Sequence, residues 1–455
     1  MEIEVLSVQC IKPFCPTPNH PKTHKLSILD QFVPAIYMPL VLFYSIGESP
    51  QAISDNGNTQ QKLKQLKESL SKVLTHFYPF AGRVKDKLTI DCNDEGVHYV
   101  EAKVNCTLPE FFNHSNFSSF IHELVPNQPL MEVATEGYTT MAQVTCFACG
   151  GMAIGTLIYH KIADGTSASF FLNSWSSNSR NVFHFQREFE FPNFVTPFPH
   201  NIKCPQDTNV MNMWGQFLND GRRSVRRLLF DAKAILRLKA QGSSLTVQNP
   251  TRVEVVTSFL CKCAAKAFNV TSGLERPTLI GHAVNMRPRA SPSIPKSSMG
   301  NIGWLTMALM SANELPDLVI KLREAVRTIN SDFVKNFIGE EGFVEHSKKL
   351  IEIASSVATL TKGVNFIYFT SWCNFGFHDV DYGWGKPIWA SSIFDSLDDS
   401  LHFNSVILMD TPSGNGIEAW VDLNEDEMVI LQDDKELLEF VTLDPNPLKE
   451  YITHT

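Results

Sequence analysis

The chain is expected to be an α/β protein built as two halves of similar size, on three observations. Helical and strand signals alternate along its whole length. At 455 residues it has room for two or three domains, taking about 150 residues for each. Between about Asn178 and Arg222 no apolar period is kept, and Pro192, Pro197, Pro199 and Pro205 interrupt the chain. A stretch of that length exceeds an ordinary loop and reads as a connector. The boundaries that follow are an N-terminal domain over residues 1–180, a crossover over 181–222 and a C-terminal domain over 223–455.

The elements can be justified in chain order. Phe32–Gly47 is uncharged but broken by Pro34 and Pro39, so it reads as a buried strand. Within it Met38, Leu40 and Leu42 alternate and share one face. Leu63, Leu66, Leu70, Val73, Leu74 and Phe77 recur at helical spacing, with Lys62, Lys64, Lys67 and Glu68 outside the stripe. Tyr78-Pro79 ends that helix, because the residue before a proline is driven out of the α region. Ala142–Tyr159, interrupted by Gly150 and Gly151, yields strands at Val144–Cys149 and Ala153–Tyr159. Neither uncharged run reaches the ~20 apolar residues of a membrane span. Pro316 and Asp317 open a second helix, whose stripe runs Leu318, Leu322, Val326, Ile329 and Phe333. Asn365–Phe369 and Ser405–Met409 read as strands.

Composition excludes several classes. Hydrophobic residues make up 43 % and charged residues 19 %, so the chain can bury a core and is not disordered. The 32 Phe against 9 Tyr and 7 Trp point to a generous core or bulky apolar pockets. A net charge of −9, from 39 basic and 48 acidic residues, argues against a nucleic-acid partner. The opening Met-Glu-Ile-Glu-Val is acidic and unlike a secretory signal, which predicts a cytosolic protein. Ten cysteines are too sparse for a disulfide scaffold, and the sequons at Asn105 and Asn269 read as coincidental. No membrane association is expected.

No G-x-S-x-G elbow, G-x-G-x-x-G turn or P-loop is present. Cys146-x-x-Cys149 lies in an apolar run and lacks the further ligands of a zinc site. Cys15, His20 and His24 sit among prolines, so no metal is expected. The informative segment is Tyr159-His160-Lys-Ile-Ala-Asp164-Gly165. A buried strand ends in His160, and a helix carrying Phe170, Phe171 and Trp175 begins after Gly165. A histidine at a strand end can project into a cleft from a fixed backbone, as a general base must. Asp164 can orient that imidazole, cap the helix or pair with a distant Arg. Spacing alone equally fits a core histidine beside a capping aspartate. A second segment, Asp381-Tyr382-Gly383-Trp384-Gly385-Lys386-Pro387, packs an acid, aromatics and glycines into one turn.

His160-x-x-x-Asp164-Gly165 together with Asp381-Tyr-Gly-Trp-Gly385 resembles the plant BAHD acyl-CoA-dependent acyltransferases, whose second motif is usually Asp-Phe-Gly-Trp-Gly. Tyr382 departs from that pattern while keeping the ring. The resemblance extends through Leu26-Ser-Ile-Leu-Asp30, Tyr78-Pro-Phe-Ala-Gly-Arg83, Asp91-Cys-Asn-Asp-Glu-Gly96, Ala283-Val-Asn-Met-Arg287, Met299-Gly-Asn-Ile-Gly303 and Glu418-Ala-Trp420. Within the family the chain looks most like the vinorine-synthase-like alkaloid acetyltransferases.

The resemblance implies two chloramphenicol-acetyltransferase-like domains with a solvent channel between them. It makes His160 the general base and Asp164 mainly structural, paired with Arg287 or, second, Arg289. Asp381 is often counted among the family's catalytic residues, although a structural turn bonded to an Arg or to backbone is the rival reading. Trp384 is a candidate oxyanion donor through its indole N–H. No permanent cofactor is expected; acetyl-CoA is the co-substrate, and its phosphates need a basic rim. Lys262, Lys266, Arg287, Arg289 and Lys296, beside the turn at Asn301, are the expected CoA-binding group, with the run Arg222, Arg223, Arg226 and Arg227 as a second. Met38, Leu40 and Leu42 are expected to line the acceptor site. The partners are then a small-molecule alcohol and an acyl-CoA, with the chain a monomer. The expected function is acetyl transfer to a bulky, mostly apolar alcohol, with an alkaloid the favoured acceptor. Another acyl donor, a terpenoid, phenolic or amine acceptor, or a degenerate ligand-binding member are the alternatives.

Overall fold

Strand pairing gathers the apolar runs into two large sheets. The computed structural model describes residues 1–18, 22–45, 56–114, 117–128, 135–180, 190–198, 200, 221–311, 314–339, 364–392 and 404–452, with isolated positions from 342 to 348. The first sheet has six strands in the spatial order Ile3–Ile11, Val97–Val104, Thr140–Cys146, Met152–Tyr159, Tyr37–Tyr44 and Trp389–Ser392. The second has seven, in the order Gly303–Met310, Thr278–Asn285, Asn365–Ser371, Ser405–Asp410, Ile417–Asn424, Arg223–Phe230 and Thr442–Leu443. Both mix parallel and antiparallel neighbours, so each half is α/β with helices laid on its sheet.

The helices follow their stripes. Asn56–Leu74 buries Leu63, Leu66, Leu70, Val73 and Leu74 in the first core and packs beside helix Gly165–Ser179. The stripe from Leu318 to Phe333 is not one helix. It divides into Leu315–Arg327 and Ser331–Phe337, because Asn330 accepts from the Phe333 N–H at 2.9 Å and caps a new helix. The two pieces serve different cores: Leu318 and Leu322 pack in the second sheet's main core, whereas Ile329, Val334 and Phe337 join a third cluster with Ile28, Leu29 and Trp304. The strand expected at Val144–Cys149 begins earlier and ends at Cys146, where Phe147–Gly150 turns back toward Gly151.

One strand crosses the division made at residue 222. Trp389–Ser392 comes from the C-terminal half yet pairs antiparallel with Tyr37–Tyr44 at the edge of the first sheet. Phe377, Val380, Tyr382 and Ile388 enter the first core with it. The second half therefore lends a segment to the first, so a boundary drawn by chain order does not separate the two cores. Most of the crossover expected over 181–222 lies outside the described residues. Within the described part, Phe194 packs on Tyr78 while Asn193 exchanges backbone hydrogen bonds with Ser297 and Met299.

Candidate active site

Every residue of Met152–Tyr159 is buried, and His160 follows directly at the strand end. Its backbone is held from both sides. The His160 N–H donates to the Ile36 carbonyl at 2.8 Å, and the His160 carbonyl accepts from Asn301 Nδ2 at 2.7 Å. The side chain is half-buried. Nδ1 is enclosed without a hydrogen-bond partner among the described residues, which leaves Nε2 as the outward nitrogen. Burial pushes the imidazole below its ordinary 6.5, with its backbone hydrogen bond, the Asp164 charge and Asn301 opposing that shift only in part. A neutral imidazole at neutral pH is the form that can take a proton.

Asp164 makes no hydrogen bond to that imidazole. It caps helix Gly165–Ser179, accepting from the Ser167 N–H at 2.9 Å. It also accepts from the Ile302 N–H at 3.0 Å and, in a fork, from Arg287 Nη1 at 2.6 Å and Nη2 at 3.2 Å. Burial works against the charge, but Arg287 and these N–H donors outweigh it and hold the carboxyl below the usual carboxylate range. Of the two expected Arg partners, the structure brings Arg287 to Asp164.

Sequence reasoning passed over the residue beneath this arrangement. Asp30 is buried, takes the Ser27 N–H and hydroxyl at 2.9 and 2.6 Å on one oxygen, and takes the Asn301 backbone N–H and Nδ2 at 2.7 and 3.0 Å on the other. Ser27-x-x-Asp30 before an apolar pair is a capping-box pattern and could have been read as one. Asp30 thus fixes Asn301, and Asn301 fixes the carbonyl of His160.

An apolar cavity opens beside the start of helix Gly165–Ser179. Met38, Leu40, Thr156 and Ile158 form one wall, and Gly165, Ala168, Leu172, Trp372 and Phe377 complete the lining. Thr156 and Ile158 alternate on one strand face, and His160 is the next residue in that alternation. A methyl group on Gly165 would lie 2.3 Å from the Phe375 ring, so only glycine lets the loop carrying Trp372 and Phe377 close against the helix. Met38 and Leu40 are thus placed at the cavity, whereas Leu42 is buried in the first core opposite Ile154 and is not among the lining residues.

The second motif is placed elsewhere. Asp381 Oδ1 accepts from the Gly383 and Gly385 N–H groups at 2.8 and 3.0 Å, and Asp381 lies 3.7 Å from Arg180. Both glycines adopt positive φ, 113° and 109°, which other residues rarely take. The Tyr382 carbonyl accepts from Gln65 Nε2 and Ser179 Oγ at 3.1 and 2.9 Å, so this turn fastens two helices together. Trp384 stacks near Tyr382 and lies 6.5 Å from the Tyr44 ring. Tyr44 is eight residues from Ile36, the partner of His160, which at strand spacing is ~26 Å. Trp384 therefore stands at the far end of the strand and cannot donate to an oxyanion beside His160.

Most of the expected CoA-binding group is engaged by partners within the protein. Arg287 is only 2 % exposed, and it also donates to Ser167 Oγ and to the Ser298 and Gly300 carbonyls, leaving nothing for a phosphate. Lys262 is engaged by Glu436 at 2.6 Å, and Lys266 by Glu436 and Asp434. Asn301 is buried and committed to Asp30 and His160. Arg289 donates to the Val326 and Ile329 carbonyls at 3.2 and 3.0 Å, and Lys296 is exposed. No cluster of metal-ligating side chains occurs among the described residues, and no described helix is long and apolar enough to cross a membrane.

Tyr382 supplies a stability prediction. Its side chain is fully buried and its hydroxyl has no partner among the described residues. An unsatisfied buried hydroxyl costs about 1–3 kcal/mol, so Tyr382→Phe should leave stability unchanged or raise it by about 1 kcal/mol. Urea unfolding checks this; a clear loss of stability would mean that the hydroxyl is bonded, for example to enclosed water.

The Transferase family model matches residues 1–438. Epi-neemfruitin B 7-O-acetyltransferase of Melia azedarach and limonoid 7-O-acetyltransferase of Citrus sinensis are each 43 % identical to the chain, over 98 % of it and 100 % of their own lengths. Vinorine synthase of Rauvolfia serpentina is 34 % identical over 97 % of the chain and 99 % of its own. The vinorine synthase crystal structure superposes with a TM-score of 0.77 at 32 % identity, covering 97 % of this chain and 98 % of that one. An F. graminearum structure complexed with coenzyme A and T-2 mycotoxin shares the fold, with a TM-score of 0.70 at 14 % identity over 93 % of this chain and 100 % of that one. A likeness running from the first residue to residue 438, in relatives matched over nearly their full lengths, makes this chain a member of the BAHD family of acyl-CoA-dependent O-acyltransferases.

Proposed function

We propose that the chain transfers an acetyl group from acetyl-CoA to a hydroxyl of a bulky, mostly apolar polycyclic metabolite, by direct attack within a ternary complex. The observation that carries this reading is His160, set at the end of a buried strand with burial holding its imidazole in the neutral form; the apolar cavity that begins at Gly165 supplies an apolar wall nearby. Thr156 and the Trp372 indole are the polar groups among its lining side chains, so a polyol entering there would lose hydration with few replacement hydrogen bonds. The relatives at 43 % identity are named as O-acetyltransferases, one of them for a limonoid.

A thioester carbonyl is already electrophilic, so the protein has little to activate. His160 Nε2 takes the proton of the acceptor hydroxyl as its oxygen bonds to the acetyl carbon. The carbon–sulfur bond then breaks, and the imidazolium returns the proton to the CoA thiolate. The oxyanion donor is left unassigned, since Trp384 is out of reach. A screen of acyl-CoA donors against alcohols, read by mass spectrometry, tests the reading. Acetyl-CoA with polycyclic alcohols should give product, and efficient turnover of shikimate or quinate would overturn it.

The direct route makes its own prediction. An acyl-enzyme needs an activated Ser or Cys beside its base. Ser167 is buried and donates to the Gly300 carbonyl, and Ser169 donates to the Phe375 carbonyl. Burial raises the Cys146 thiol to about 11, far from a thiolate at neutral pH. Enzyme incubated with labelled acetyl-CoA alone should therefore carry no label after denaturation, and initial-rate plots should intersect. One acetyl group bound covalently, and discharged by the alcohol, would refute the ternary route.

A further inference from the structure

On the acetyl-transfer reading, we propose that the small apolar cavity is an acyl pocket: it receives the methyl end of the donor's acetyl group and, by its size, selects acetyl over longer acyl chains. The cavity volume is about 10 Å³, room for one water-sized group. The rings of a polycyclic alcohol cannot enter it and lie outside. A methyl group is of the right order, and it gains by leaving water for an apolar lining. Met38 and Leu40, expected from the chain to meet the acceptor, meet the acyl group instead.

The fold sets this recess beside the reacting carbon. Met38 pairs with Ile158 and Leu40 with Thr156, so these four side chains form one patch of the sheet face. Gly165, Ala168 and Leu172 recur at helical spacing and roof the patch. His160 is not in the lining; it follows on the same strand face, ~7 Å beyond Ile158. Its imidazole holds the attacking hydroxyl, and the acetyl carbon stands against that oxygen. The CoA sulfur takes a second direction around that carbon and the acyl chain a third, with the cavity an apolar recess within its reach. The walls cannot swell to suit a longer chain. Ser169 donates to the Phe375 carbonyl, and Asn173 Nδ2 reaches the Gly376 carbonyl at 3.4 Å, which clamps the loop carrying Trp372 and Phe377 onto the helix. The Trp372 N–H is tied to the Leu408 carbonyl at 2.7 Å. Each methylene beyond acetyl must overpack side chains such as Ile158 and Leu172, which are 2 % and 1 % exposed.

A donor series tests this without any acceptor. Free CoA, acetyl-CoA, propionyl-CoA and butyryl-CoA are titrated into the full chain by calorimetry, with free CoA as the reference for each protein because it has no acyl group to place. Acetyl-CoA should bind at least as tightly as free CoA, and butyryl-CoA at least about tenfold more weakly than acetyl-CoA, the usual weight of an excess methylene in an apolar pocket. Leu172→Ala enlarges the space and should narrow that gap to about threefold or less, whereas Ala168→Val fills it and should weaken acetyl-CoA about tenfold relative to free CoA. A general loss of structure would shift all four ligands together and leave these ratios unmoved.

Butyryl-CoA that binds the unaltered protein as tightly as acetyl-CoA overturns the inference, as does a folded Leu172→Ala protein whose preference is unchanged. If either variant does not fold, the four-ligand comparison on the unaltered protein still decides. Failure of free CoA and acetyl-CoA alike to bind sinks the acetyl-transfer reading and the acyl pocket with it. Binding in the expected order, with no CoA thiol released to any alcohol, would sink the transfer and leave the pocket standing.

Discussion

Replacing His160 with alanine should lower kcat by ~10²–10⁴-fold, the usual weight of a positioned acid–base group, and should leave the fold intact. The second half of that expectation comes from the contacts. What ties His160 to its surroundings is main chain: its N–H to Ile36 and its carbonyl to Asn301. Alanine keeps both. The imidazole Nδ1 that is lost has no partner among the described residues, so its removal strands nothing. A thermal melt close to that of the unaltered protein, beside a collapsed kcat, is the expected pair of results. The pH profile gives an independent check. Burial holds the imidazole below 6.5, and protonation removes the base, so kcat/KM should fall only as pH drops below that value and should be level through neutrality. A folded variant with near-normal turnover, or an acid limb centred above pH 7, would remove His160 from the role of base.

Much of this was legible in the chain because the signals were local. The strand into His160 and the helix after Gly165 follow from apolar runs, turn residues and caps lying within a few positions of each other. Partnerships set by long-range folding were less accessible. Lys262 carries a charge that looks available to a phosphate until the fold delivers Glu436, 174 residues away. Asn301 looks like a turn residue near a basic rim until Asp30, 271 residues distant, claims it. The pairing of Trp389–Ser392 with Tyr37–Tyr44 has no local signature, because a four-residue edge strand is recognised only by its neighbour. Trp384 illustrates the same limit. Its motif marks the family, yet position along a strand ~26 Å long decides whether an indole can reach the chemistry. Arg287 is the converse: named through resemblance as the partner of Asp164, it lies within hydrogen-bonding distance of it.

Asp164→Ala should cost about 3–5 kcal/mol of stability, because it leaves the Arg287 guanidinium buried without its counter-charge. The loss should be seen as a lower melting temperature and poorer solubility before any kinetic defect is read. Arg287 is 2 % exposed and cannot turn to water, and its remaining acceptors, the Ser298 and Gly300 carbonyls and Ser167, are neutral. Arg287→Met should be comparably harmful, since Asp164 would keep only the Ser167 and Ile302 N–H donors. Combining Asp164→Leu with Arg287→Met removes both charges, and replacing a buried pair by apolar groups is often neutral or better. The double variant should therefore be more stable than either single one. The sign of the pH effect follows from the lowered Asp164 carboxyl. Its contribution is complete above the unfolded value of about 3.9 and is lost as pH falls through the lower folded value, so neutral-pH measurements see the whole of it. Loss of stability should also reach the active site, because Ile302 and Gly300, which meet Asp164 and Arg287, flank the Asn301 that holds the His160 carbonyl. An Asp164→Ala protein with unchanged melting temperature but no turnover would reverse this account, since it would mean that Asp164 acts on the imidazole itself and that the ion pair contributes little to the fold.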